Sequence, residues 1–198
     1  RYKREVHALA TNALSLDKWN SYRNETGRIL DVVKEACSSR VSSNLLDHRY
    51  GEAGPYKCLY KVESVEVVKG LERALFNFFL DGRTSRAQFG PRFDSFAEYL
   101  REESLGSNWS FVAYLSFLAD HRRYFPILPT RFEDLLQYYG VDQKIVGHVT
   151  WSRYSVILDV AEEVRDRLVE YKPPDLISVQ SYMWVVSYLL RTDRINTS

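Results

Sequence analysis

The sequence predicts an all-α fold, an irregular bundle of seven to nine helices. Apolar and aromatic side chains recur at three- and four-residue spacing along most of the chain, which gathers them on one face of a helix. Glycine (9) and proline (6) are scarce among 198 residues, so the closely spaced turns of a many-stranded sheet are missing. With 45% hydrophobic and 14% aromatic content the chain can bury one sizeable core, as a single domain over 1–198 or as close-packed subdomains 1–61 and 62–198.

Residues 1–14 place Val6, Leu9, Ala10 and Leu14 at helical spacing. The stripe Leu16, Trp19, Tyr22, Leu30, Val33 and Cys37 predicts one or two further helices, with Ser15 as the cap and a soft spot around Gly27. Residues 38–61 break the pattern with serines, Gly51, Gly54 and Pro55 and form the main loop. Alternation at Cys58, Tyr60 and Val62 allows a short hairpin arm near 56–62, although no later segment offers it a partner strand.

Residues 65–80 predict a central helix, capped by Ser64 and closed by Gly82. Ser85 and Gln88 have capping-box spacing; Gly90 and Pro91 interrupt that start before the stripe Phe93, Phe96, Ala97 and Leu100, which Gly106 ends. Asn108 caps 109–119, a segment too apolar for a surface helix. A rigid turn from Pro126 to Pro129 precedes a second capping box, Thr130 to Glu133, which opens a short helix closing at Gly140. Thr150 caps a long amphipathic helix carrying Trp151, Tyr154, Leu158, Ala161 and Leu168, stopped by Pro173 and Pro174. A last apolar helix covers 178–190, and the helices over 65–119 and 178–190 are expected to be core.

The formal net charge is +1, without the bulk positive charge of a dedicated nucleic-acid binder. The first 61 residues are mildly basic, with 11 Lys/Arg against 7 Asp/Glu. Cys37 and Cys58, 21 positions apart and in no Cys-x-x-Cys unit, read as free thiols. No stretch approaches the roughly 18 to 20 apolar residues of a membrane span, so the chain is expected to be soluble and cytoplasmic. It opens on Arg1 instead of Met, as a fragment of a larger protein would.

Nucleotide-binding phosphate loops, His-Glu-x-x-His and Gly-x-Ser-x-Gly are absent. His7, His48, His121 and His148 are dispersed and suggest no metal or other cofactor. Two Asp/Glu-x-Lys triplets, Asp142-Gln143-Lys144 behind Asp120 and Asp134, and Glu170-Tyr171-Lys172 behind Asp159, match the outline of a magnesium nuclease centre. The densest polar and aromatic run holds Arg122, Arg123, Arg131, Lys144, His148, Trp151 and Arg153. Cations in loops beside helix starts hold phosphates, and an indole stacks a base. Acids at Asp120, Glu133, Asp134 and Asp142 compete for the same arginines.

The stretches Tyr124-Phe125-Pro126-Ile127-Leu128-Pro129-Thr130-Arg131-Phe132, Thr150-Trp151-Ser152-Arg153-Tyr154 and Asp175-Leu176-Ile177-Ser178-Val179-Gln180-Ser181-Tyr182-Met183-Trp184 resemble helical regions of bacterial proteins that accompany restriction-type or HNH-type nuclease and defence modules. The resemblance spans about 108–190 and brings no catalytic motif. It implies a recognition or interaction domain that contacts DNA or a nuclease partner. The alternatives are an assembly module that docks other parts of its parent protein, and a metal-dependent nuclease.

Overall fold

A computed structural model describes residues 2–80, 85–145 and 147–192. They form α1 (Tyr2–Leu14), α2 (Trp19–Tyr22), α3 (Arg28–Cys37), α4 (Ser39–Ser42), α5 (Val65–Phe79), α6 (Arg86–Glu102), α7 (Trp109–Ala119), α8 (Pro129–Tyr138), α9 (Trp151–Arg167) and α10 (Leu176–Arg191). Eight of these are ten residues or longer, so the all-α bundle of seven to nine helices is what the chain forms; α2 and α4 are single turns. No strand occurs among the described residues. The hairpin expected near 56–62 is instead a 3-10 turn at Lys57–Leu59, because Cys58 and Leu59 are buried side by side where a half-buried strand would alternate.

α7 is the axis of the molecule. Every residue from Trp109 to Leu118 is buried, so the helix has no solvent face. α1 and α6 pack directly against it. α3 and α5 extend the amino-terminal side, while α8, α9 and α10 pack on one another and reach the centre through α6 and α9. One continuous apolar cluster runs from Val6 to Val186. Arg4 on α1 grips the Asp175 carboxylate with two nitrogens, and Arg86 on α6 bridges Asp159 and Glu162 on α9.

The caps at Ser64, Ser85 with Gln88, and Asn108 form as the spacing predicts. Three others do not. Ser15 is left-handed and its hydroxyl donates back to the Asn12 carbonyl, closing α1 instead of opening the next turn. Pro129 takes the first position of α8, and Glu133 accepts from the Ile145 N–H, so no box forms at Thr130. Thr150 precedes α9 but makes no side-chain cap; Asp94 accepts the Trp151 N–H in its place, at 2.6 Å. α6 also continues through Gly90 and Pro91. Gly82 lies outside the described residues.

Two helices expected to be core are one-sided. α5 buries Leu71, Leu75, Phe78 and Phe79 but exposes Val65, and α10 buries Val179, Met183 and Val186 while exposing Tyr182, Val185 and Tyr188. Neighbours cover only one face of each, which residue composition alone does not reveal.

The cap of α3 comes from another helix. Glu72 on α5 is 8% exposed and accepts the backbone N–H groups of Gly27 (3.0 Å), Ile29 (2.7 Å) and Leu30 (3.1 Å). A carboxylate at a helix amino terminus satisfies otherwise orphaned donors and meets the positive end of the helix dipole. Glu72→Ala strands those buried donors and is expected to cost about 2–4 kcal/mol in urea unfolding, with Glu72→Gln losing less. Equal stability of wild type and Glu72→Ala contradicts this role.

Candidate functional site

The seven residues singled out by sequence separate into groups. Arg122 is exposed at the turn after α7; its N–H donates to Asp120 Oδ1 and its carbonyl accepts from Leu176 at the start of α10. Arg123 faces the same Asp120 carboxylate at 3.5 Å. Arg131, on α8, lies over the Trp184 ring with 4.7 Å from guanidinium carbon to ring centroid. Lys144 is exposed between α8 and α9.

Trp151, His148 and Arg153 gather at the amino end of α9. The Trp151 indole is half-buried, edge-on to Phe89 and Phe93 at 5.7 Å each and to Tyr124 at 6.0 Å. It packs against Gly90, where any Cβ would come within 2.6 Å of Cδ1. The ring is therefore a packing element, and its stacking on a base would require it to leave that slot. Arg153 donates to the His148 carbonyl at 3.2 Å, fastening the 147–150 loop to the first turn of α9.

His148 borders an open cleft of about 500 Å3 between the carboxyl end of α6, the turn before α7 and the loop before α9. Arg101, Ser104, Ser107 and Thr150 also line it. Gly106 and Gly147 in its walls both have positive φ, a conformation that disfavours side chains. The Lys57 side chain passes over Gly106, with its Cε 2.8 Å from where a Cβ would stand, and Arg153 Nη1 lies 3.6 Å from the equivalent point at Gly147. Lys57, Arg101, His148 and Arg153 thus converge from four segments, and Glu98, which pairs with Arg101, is the one acid in the lining. The Ser107 hydroxyl is shielded from solvent and has no hydrogen-bond partner.

Sequence reasoning did not find Lys57, Arg101, Ser104 or Ser107. Their meeting depends on α6 ending beside the 51–60 turns, and no local pattern encodes that. The nuclease triplets are not assembled: no group of three His, Cys, Asp or Glu side chains able to hold a metal occurs among the described residues. Asp134 is instead paired with Arg191 at 2.7 Å, and Glu170 lies on a 3-10 turn.

At the carboxyl end of α7, His7 and His121 face each other with ring centroids 4.1 Å apart, and His7 Nε2 is buried without a hydrogen-bond partner. Burial, reinforced by His121, lowers His7 from 6.5 to about 4. Both cysteines are buried free thiols, and burial pushes Cys58 up to about 12. No described helix is long and apolar enough to cross a membrane. No known protein family, curated protein or solved structure matches the chain.

The depressed His7 pKa makes the fold less stable as pH falls. The unfolded chain takes up the proton first, so the stabilising contribution is complete above pH 6.5 and is lost as pH falls toward 4. Thermal unfolding followed across that window is expected to show wild type losing stability on acidification more steeply than His7→Gln. Parallel profiles for the two proteins contradict the assignment.

Proposed function

We propose that this chain is a non-catalytic recognition domain that contacts DNA, working beside a nuclease module in a prokaryotic defence or restriction-type system. The observation that carries the reading is the convergence of Lys57, Arg101, His148 and Arg153 around one cleft whose lining holds a single acid. Lys57, Arg101 and Arg153, held on separate segments of a helical frame, can each meet a backbone phosphate, with the His148 imidazole as a further hydrogen-bonding group. Ser107 adds a hydroxyl donor without a partner, and the α7 and α9 amino termini border the same cleft. The resemblance of 108–190 to companions of nuclease modules supports the setting.

A gel-shift titration with one oligonucleotide, as duplex and as single strand, tests the reading. Binding is expected at low salt and weakens as salt rises. Lys57→Glu and Arg101→Glu are each expected to weaken it about tenfold and to shallow the salt slope by about one. Arg165→Glu, at the far end of α9, makes the same change in net charge and is expected to leave affinity near wild type. Absence of binding at low salt, or equal weakening by all three variants, defeats the proposal.

A second reading, an assembly module, is favoured by α10. Tyr182, Val185 and Tyr188 are 45%, 53% and 52% exposed and form an uncharged stripe on one helical face. Their spacing is symmetric about Val185, so two copies of α10 in antiparallel array would set each Tyr182 against the partner's Tyr188 with Val185 on the two-fold axis. The partner that fits this stripe is a second copy of this chain. Sedimentation velocity is expected to show a dimer that Val185→Glu dissociates by placing two like charges on that axis; a wild-type monomer at high concentration removes this reading.

A further inference from the structure

Lys3 stands in the first turn of α1, is only 8% exposed, and reaches side chains of α10. Its ammonium donates to Gln180 Oε1 and to the Ser181 hydroxyl, the latter at 2.9 Å. Both acceptors are neutral, and no carboxylate lies within ion-pair distance of Lys3 among the described residues. The Gln180 amide N–H2 donates to the Pro126 carbonyl at 3.2 Å, which fixes its oxygen toward the lysine. A buried cation served only by neutral oxygens is costly unless an anion reaches it. Burial pulls Lys3 from 10.5 to about 8, which still leaves it mostly charged at neutral pH.

A cavity of about 240 Å3 opens beside this ammonium. Tyr2, Leu45, Ile127, Leu128 and Trp184 form much of its wall, Asn44 and Gln180 add neutral amides beside Lys3, and no acidic residue lines it. Arg131 lies over the Trp184 ring, and its buried Nη1 has no hydrogen-bond partner. The cavity therefore joins an apolar wall to one uncompensated charge, with a second cation stacked on one of its aromatic lining residues.

We propose that this cavity binds a small organic carboxylate, an aromatic or branched aliphatic acid whose carboxylate pairs with Lys3 while its apolar body lies against Leu45, Ile127 and Trp184. A monoanion supplies the counter-charge that Lys3 lacks, and a charge-assisted hydrogen bond in an apolar setting is strong and selective. A phosphate dianion would press further charged oxygens against leucine and isoleucine walls. The volume lies below the roughly 300–1,000 Å3 of sites for drug-sized ligands, which suits an acid built on one ring or one branched chain. The lining shares no residue with the α6–α7–α9 cleft, so this proposal stands or falls separately from DNA contact.

Calorimetric titration of the full chain with benzoate and phenylacetate, against benzamide and inorganic phosphate, tests it. At least one of the two acids is expected to bind about tenfold or more tightly than benzamide and phosphate. Lys3→Met, shown to be folded by circular dichroism, is expected to lose that same factor. In wild type, nuclear magnetic resonance is expected to show the Gln180 side-chain amide shifting with the acid and not with the amide, a readout that holds whether or not the variant folds. Equal binding of acid and amide, preference for phosphate, no binding of either acid, a folded Lys3→Met that binds as wild type, or an unmoved Gln180 amide overturns the proposal.

Discussion

The helix Trp109–Ala119 has no polar face, and the rest of the molecule is arranged to supply it with neighbours on every side. A helix of this composition has no stable existence in water. Its two serines show how complete the burial is: Ser116 turns its hydroxyl back to the Val112 carbonyl at 2.9 Å, and Ser110 is likewise buried. Tyr114, fully buried, sends its hydroxyl to the Ala36 carbonyl at the end of α3. That bond ties the axis to α3, beside the direct packing of α1, and burial keeps the phenol un-ionised.

Several features follow from that enclosure. The ends of the helices around this axis fall beside elements remote in sequence. Orphan groups at those ends are then satisfied across the fold, as Glu72 does for α3, Asp94 for α9 and Glu133 for Ile145. The same geometry leaves the cleft where the end of α6 meets the starts of α7 and α9, and the Lys3 cavity where α1 meets α10. Charged side chains in both places come from loops and helix ends because the helical faces themselves are occupied by packing.

The parts legible in the sequence were those decided within a few residues. All-round apolar composition identified 109–119 as core, and the caps at Ser64, Ser85 and Asn108 were visible from spacing alone. Misreadings arose where a remote group outcompeted a local one: Asp94 displaced Thr150, and Ile145 drew Glu133 out of its box. Trp151 and Gly90 illustrate a further limit. Gly90 looked like a break in α6, yet it is the flat surface on which the indole rests. Of the candidate site, His148 and Arg153 were found from their place beside a helix start; Lys57 and Arg101 were not, since only tertiary packing brings them there.

Hydrogen exchange of backbone amides, read residue by residue in the native protein, tests most directly whether α7 is the element on which the structure depends. The amides of 113–118 are expected to exchange slowest of all, at the rate set by global unfolding, while those of α5 and α10 open earlier through their solvent-facing sides. Exchange in α7 that runs ahead of α5 or α10 would contradict the account.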